Sequence, residues 1–136
     1  MDAFHHSLFV FSMQCLLIFL IFLMVLSPDK IIMVPNEFMN LVTRFILVIL
    51  MHLIVEGDVR QGLTMMKYST NHPFDFISPT NAFVIGLMQF SGGLLTETVC
   101  ILHLGSIEDP IVAFQQFIAL ASIANIDNFY FAFLSK

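Results

Sequence analysis

Apolar residues fill four long blocks, at residues 8–26, 38–55, 82–104 and 111–133, separated by breaks that carry proline, two of them short and the middle one, 56–81, long and mostly polar. A helix crossing the hydrocarbon of a bilayer needs about 20 mostly apolar residues at ~1.5 Å rise each. Each block comes near that length, so the pattern predicts an all-α, polytopic membrane protein with four transmembrane helices. The first block is apolar except for Ser12 and Gln14; the second carries Arg44 and His52, and the third Gln89, Glu97 and His103. The fourth starts apolar and turns polar at Asn125, Asp127 and Asn128, so its later half is expected in the membrane interface.

The breaks agree with the hydropathy. Ser27-Pro28-Asp29 ends the first block, and Pro35-Asn36 precedes the second, with Asn36 as its expected N-cap. Pro73 and Pro79 bracket the second connection, and Asn81 is the expected cap of the third helix. Gly105-Ser106 ends that helix, and Asp109-Pro110 opens the fourth with an acid at the positive helix end and proline in the first turn. Residues 56–70 are polar but hold no strong breaker beyond glycine, and Glu56 and Arg60 stand four apart in the favourable order. The second helix is therefore expected to continue beyond the membrane surface as a wet end.

Composition strengthens this reading. Of the 136 residues, 58% are hydrophobic and 11% charged, whereas soluble domains carry about a quarter charged residues. The first block is too long for a secretory h-region, follows Asp2 rather than a basic leader, and precedes no small-x-small site, so it is read as a retained span. Cys15 and Cys100 both fall inside spans and are read as packing residues. No repeat or second domain is visible, so residues 1–136 are read as a single membrane domain.

Chemistry concentrates on Glu97, the one formally charged residue of block 82–104. An acid in hydrocarbon needs a partner, a proton or a wet cavity. Counted from the block ends on one membrane face, Arg44 and Glu97 lie at a similar depth, roughly 9 to 11 Å. An Arg44–Glu97 ion pair is therefore expected, direct or bridged by Gln115 or Gln116. At 100° per residue, Ala82, Gly86, Gln89, Gly93, Glu97 and Cys100 share one stripe of the third helix. Small residues at that spacing let backbones approach closely. Gln115, Ala119 and Ser122 make a comparable stripe on the fourth helix, so these two helices are expected to pack along it. Packing is favoured over a sharper reading in which the seam lines a path for a cation or proton, with Glu97 as its relay. His52, Asn125, Asp127 and Asn128 are expected to form an inner polar rim, and His103 to reach the interface.

No nucleophile elbow, zinc-protease helix, P-loop or dinucleotide glycine fingerprint is present. The adjacent His5 and His6 are poorly spaced to hold one metal from one helical face, and neither metal nor cofactor is expected. Net charge −5 with five basic residues argues against nucleic acid as a partner. Counting basic residues near helix ends sets Arg60, Lys67 and Lys136 against Lys30 and Arg44. The termini are thus expected on the cytoplasmic or equivalent side.

The run Arg60-Gln61-Gly62-Leu63-Thr64-Met65-Met66-Lys67-Tyr68 with Asn71-His72-Pro73, then Met88-Gln89-Phe90 through Glu97, and Phe117-Ile118-Ala119-Leu120 through Ile126-Asp127-Asn128-Phe129, resembles uncharacterised polytopic membrane proteins of ciliates and other protists. The likeness spans roughly residues 56 to 130. It implies a membrane protein in which Glu97 and Asp127 matter, with no activity attached. In that pattern positions 125 and 128 are often acidic, so no ionic role carries over to Asn125 and Asn128. Two functional classes follow. The first is a non-enzymatic structural or accessory subunit whose apolar faces meet lipid and the spanning helices of other subunits. The alternative is an oligomeric cation channel or proton-linked transporter that uses Glu97.

Overall fold

A computed structural model describes residues 3–26, 38–126 and 128. Four α-helices follow one another: α1 (Ala3–Val25), α2 (Phe38–Asn71), α3 (Pro79–Gly105) and α4 (Pro110–Ala124), with a single 3-10 turn, Pro73–Asp75, between α2 and α3. Three of them, α1 to α3, are long and apolar enough to cross a membrane. At 15 residues α4 is shorter, rising about 22 Å against the ~30 Å of a hydrocarbon core. Asp127 and the end of the expected fourth span, like the Pro28 and Pro35-Asn36 breaks, lie outside the described residues.

The local signals largely decide the helix ends. Asp109 caps α4, its side chain accepting from the Ile111 amide at 2.8 Å. Ser106 follows the last residue of α3 and returns its amide to the His103 carbonyl. α2 runs unbroken through the polar stretch, and Arg60 meets Glu56 at 2.6 Å one turn away. Two boundaries differ from expectation. α1 starts at Ala3 rather than at residue 8, because Phe4, His5, His6 and Ser7 hold helical geometry ahead of the apolar block. α3 begins at Pro79 with Ser78 as N-cap, which leaves Asn81 inside the first turn; proline, lacking an amide proton, suits that position better.

The antiparallel pair of α2 and α3 makes the largest interface. Its register reads off successive contacts: Gly62 against Gly86, Val55 and Val59 against Gly93, His52 against Glu97, and Arg44 at the Gly105 carbonyl. At the Gly62–Gly86 crossing a Cβ on Gly62 would lie 2.6 Å from the Gly86 oxygen and 2.7 Å from the Phe90 nitrogen, so the two backbones touch where no side chain fits. The polar second half of α2 therefore lies along the first half of α3, as one wall of the bundle rather than a free handle.

α4 closes the other end. Ala113, Phe117, Leu120 and Ala124 are buried and join Leu47, Met51, Val99, Cys100 and Leu104 in the core. This inverts the expected seam. The small residues Gly86 and Gly93 serve α2 rather than α4, while Gln115, Ala119 and Ser122 are exposed. α4 turns Ala113, Phe117, Leu120 and Ala124 inward, and Gln115, Ala119 and Ser122 fall outward together with Phe114 and Ile118.

Candidate functional site

Glu97 finds a histidine. His52 Nδ1 stands 3.0 Å from Glu97 Oε1, joining the middle of α2 to the middle of α3. The pair sits at the bundle edge, with the His52 side chain 58% exposed and that of Glu97 23%. Around it on α2, the large apolar residues Leu41, Phe45, Ile49 and Leu53 recur every fourth position and all point outward. The histidine thus interrupts an otherwise apolar outer face.

Arg44 does not partner Glu97 as expected. Its guanidinium donates to the carbonyls of Gly105, at 3.4 Å, and Ile107, so it closes the end of α3. Helix C-termini leave carbonyls without intrahelical donors and attract cations. Equal depth would require the ends of α2 and α3 to lie level, whereas the observed register carries α2 past the end of α3. Gly105 lies eight positions beyond Glu97, about 12 Å along a helix axis. Neither Gln115 nor Gln116 bridges the two; Gln115 is exposed and Gln116 half-buried.

Of the expected polar rim, Asn125 and Asn128 stay together, His52 stands apart from them, and Asp127 lies outside the described residues. His52 has turned to Glu97, and Asn125 caps α4 by donating to the Ala121 carbonyl at 2.8 Å. Asn128 reaches Asn125 Oδ1 at 3.4 Å. His103, expected at the interface, is buried on the core side of α3 at 2% exposure.

A second polar group was legible only piecemeal. Where α1, α2 and α3 meet the end of α4, a cavity of about 70 Å³ is lined by Ser7, Gln14, Asp58, Gln89 and Thr96 among apolar neighbours. Glu97 is not among its lining residues. Gln14, a polar exception in the first block, donates from Nε2 to the Ile123 and Ala124 carbonyls at 3.3 and 3.4 Å, tying α1 to the end of α4. Thr96 donates to the Gly92 carbonyl at 2.9 Å. Asp58 was absorbed into a wet helical end by its polar neighbours, yet the register sets it level with Phe90 in mid-bundle. A helical wheel of residues 56–70 shows a polar residue there without revealing that α3 lies beside it.

No protein-family model, curated protein or solved structure matches the chain. The residues therefore carry the functional argument alone.

Proposed function

We propose that this chain is a multi-pass integral membrane protein that serves as a non-enzymatic, structural or accessory subunit of a larger membrane assembly. One observation carries the reading: the His52–Glu97 pair opens onto an outward face whose other members are Leu41, Phe45, Ile49 and Leu53. Ionisable groups are costly against lipid and normally face protein or water. A spanning helix of another subunit, seated on this face with a polar residue of its own, would cover both the apolar stripe and the histidine. Four helices of this size also bury few of their apolar residues among themselves, since 17% of the most apolar window of α2 is covered within the chain. The resemblance to protist membrane proteins and the placement of both termini on the cytoplasmic or equivalent side belong to the same reading.

A photo-crosslinking residue at Leu53 tests it. Crosslinking in native membranes is expected to give a discrete adduct with a second polypeptide, and one at exposed Ile118 on α4 gives less of it. Capture of lipid alone at Leu53 would overturn the subunit reading.

A further inference from the structure

We infer that the cavity between α1, α2 and α3 is a docking slot for this chain's own residues beyond α4, filled by the ring of Phe131. The inference concerns the inner side of the bundle and is independent of the subunit reading, which rests on the outward face of α2.

The slot exists because α4 is short. Among the described residues no Cα of α1 comes within 8 Å of a Cα of α2, while α4 packs against both helices. α4 stops at Ala124, which lines the cavity. Beyond it the gap between α1 and α2 is the cavity itself, with Val10 and Phe11 on one side, Val55 on the other, and Ile85 and Met88 of α3 behind. Four of the five polar lining residues, Ser7, Gln14, Asp58 and Thr96, already hold partners in the protein. The demand left in the space is chiefly for apolar packing, which is what drives helices together in lipid.

Three observations name the occupant. The first is direction and reach. Residues 106–109 turn the chain back, so α4 runs antiparallel to α3 and its axis points from Ala124 toward Met88 and Ile85. Phe11 lies beside Gly92, and Gln14, about one turn on, bonds the Ile123 and Ala124 carbonyls. Ala124 is thereby about level with position 95 of α3. Seven residues further, roughly 10 Å along a helix axis, is level with Met88. The second is periodicity. The inward face of α4 is Ala113, Phe117, Leu120 and Ala124. At 100° per residue the next apolar residue on that stripe is Phe131, five full turns from Ala113, while Phe129 and Phe133 fall on the opposite side. The third is volume. A single water needs on the order of 10–15 Å³ of such space and takes up ~30 Å³ of liquid. A cavity of about 70 Å³ thus admits about five waters, the bulk of one benzene ring. One phenyl ring fits; a second helix does not.

Disulfide trapping in the full chain, with Cys15→Ser and Cys100→Ala removing the native thiols, tests the assignment. A disulfide needs its two Cα atoms within about 7 Å, so Met88→Cys with Phe131→Cys is expected to cross-link within one chain roughly fivefold faster than Met88→Cys with Phe129→Cys. Ile85→Cys serves in place of Met88→Cys if the latter does not fold. A second measurement needs one cysteine only. N-ethylmaleimide labelling of Met88→Cys is expected to quicken severalfold when Phe131→Ala is added, and to stay unchanged with Phe129→Ala. Equal trapping from positions 129 and 131, or labelling indifferent to Phe131→Ala, would overturn the proposal. Trapping only between two chains would seat a second copy's segment in the slot, and labelling that only delipidation quickens would seat an acyl chain there; either result also overturns it.

Discussion

Gly62 and Gly86 face each other across the α2–α3 crossing so closely that a Cβ added to either would come within 2.8 Å of the other's carbonyl oxygen. Spanning helices gain little from hydrophobic association in lipid and depend on close van der Waals approach, which small residues permit. The crossing therefore fixes the register on which the placement of His52, Asp58 and Arg44 depends.

Gly62→Ala is accordingly expected to destabilise the bundle by about 1–3 kcal/mol, the usual range for overpacking. Gly57, also in α2, has open space around its added Cβ. There the alanine replacement is expected to stabilise by about 0.5–1 kcal/mol through helix propensity and unfolded-state entropy. Denaturation in mixed micelles, followed by circular dichroism, checks both. Equal effects at the two sites would remove the close crossing.

The His52–Glu97 contact is testable by a double-mutant cycle with His52→Leu and Glu97→Leu. Interhelical polar contacts in membranes average about 0.6 kcal/mol, and the exposure of His52 argues for no more than that. The two substitutions together are expected to cost less than the sum of each alone by roughly that amount. Strict additivity would show that the two side chains do not interact.

Arg44→Leu removes the donor that closes α3 at Gly105 and Ile107. Hydrogen bonds to charged groups contribute about 1.5–3 kcal/mol, and a partly exposed site should fall at the lower end. Amide exchange is expected to quicken in α4 near Ile111 and Val112, because Arg44 holds the segment that positions the start of that helix. Unchanged exchange there would leave Arg44 without this role.

How far these features were visible in sequence depends on the kind of signal. Asp109-Pro110 and Gly105-Ser106 act within one turn of chain, so the start of α4 and the end of α3 were legible. The four-helix order followed equally from block lengths. The relative sliding of α2 and α3 was not, since apolar blocks mark where a helix tolerates lipid without marking its level against a neighbour. That sliding exchanged Arg44 for His52 as the partner of Glu97 and brought Asp58 beside α3. The rotation of α4 was hidden for a related reason: Gln115, Ala119 and Ser122 make a stripe as regular as Ala113, Phe117 and Leu120, and with Phe114 and Ile118 on the other side both faces of the helix carry bulky apolar residues.

Outside the spans, Tyr68 donates its hydroxyl to Asp75 Oδ2 at 2.7 Å, clipping the end of α2 to the turn that follows. The hydrogen bond to the carboxylate, then its negative charge, raises the phenol above its ordinary value of 10.0. The clip thus contributes fully below the unfolded-state value and is lost as pH rises through the raised one. The sequence has two tyrosines and no tryptophan, so ultraviolet titration resolves the phenols cleanly. One is expected to ionise late in the parent protein and at its ordinary pH in Asp75→Asn; identical titrations would refute the clip.

The claim on which the account most depends is that the outward face of α2 lies at membrane depth, so that lipid takes the place of the partner helix when the chain is reconstituted alone. Spin labels at Phe45, Ile49 and Lys67, in a Cys15→Ser, Cys100→Ala protein reconstituted into vesicles, test it through accessibility to oxygen and to a water-soluble nickel complex. Labels at Phe45 and Ile49 are expected to favour oxygen and exclude nickel, with the label at Lys67 showing the reverse. Free nickel access at Phe45 and Ile49 would contradict the account.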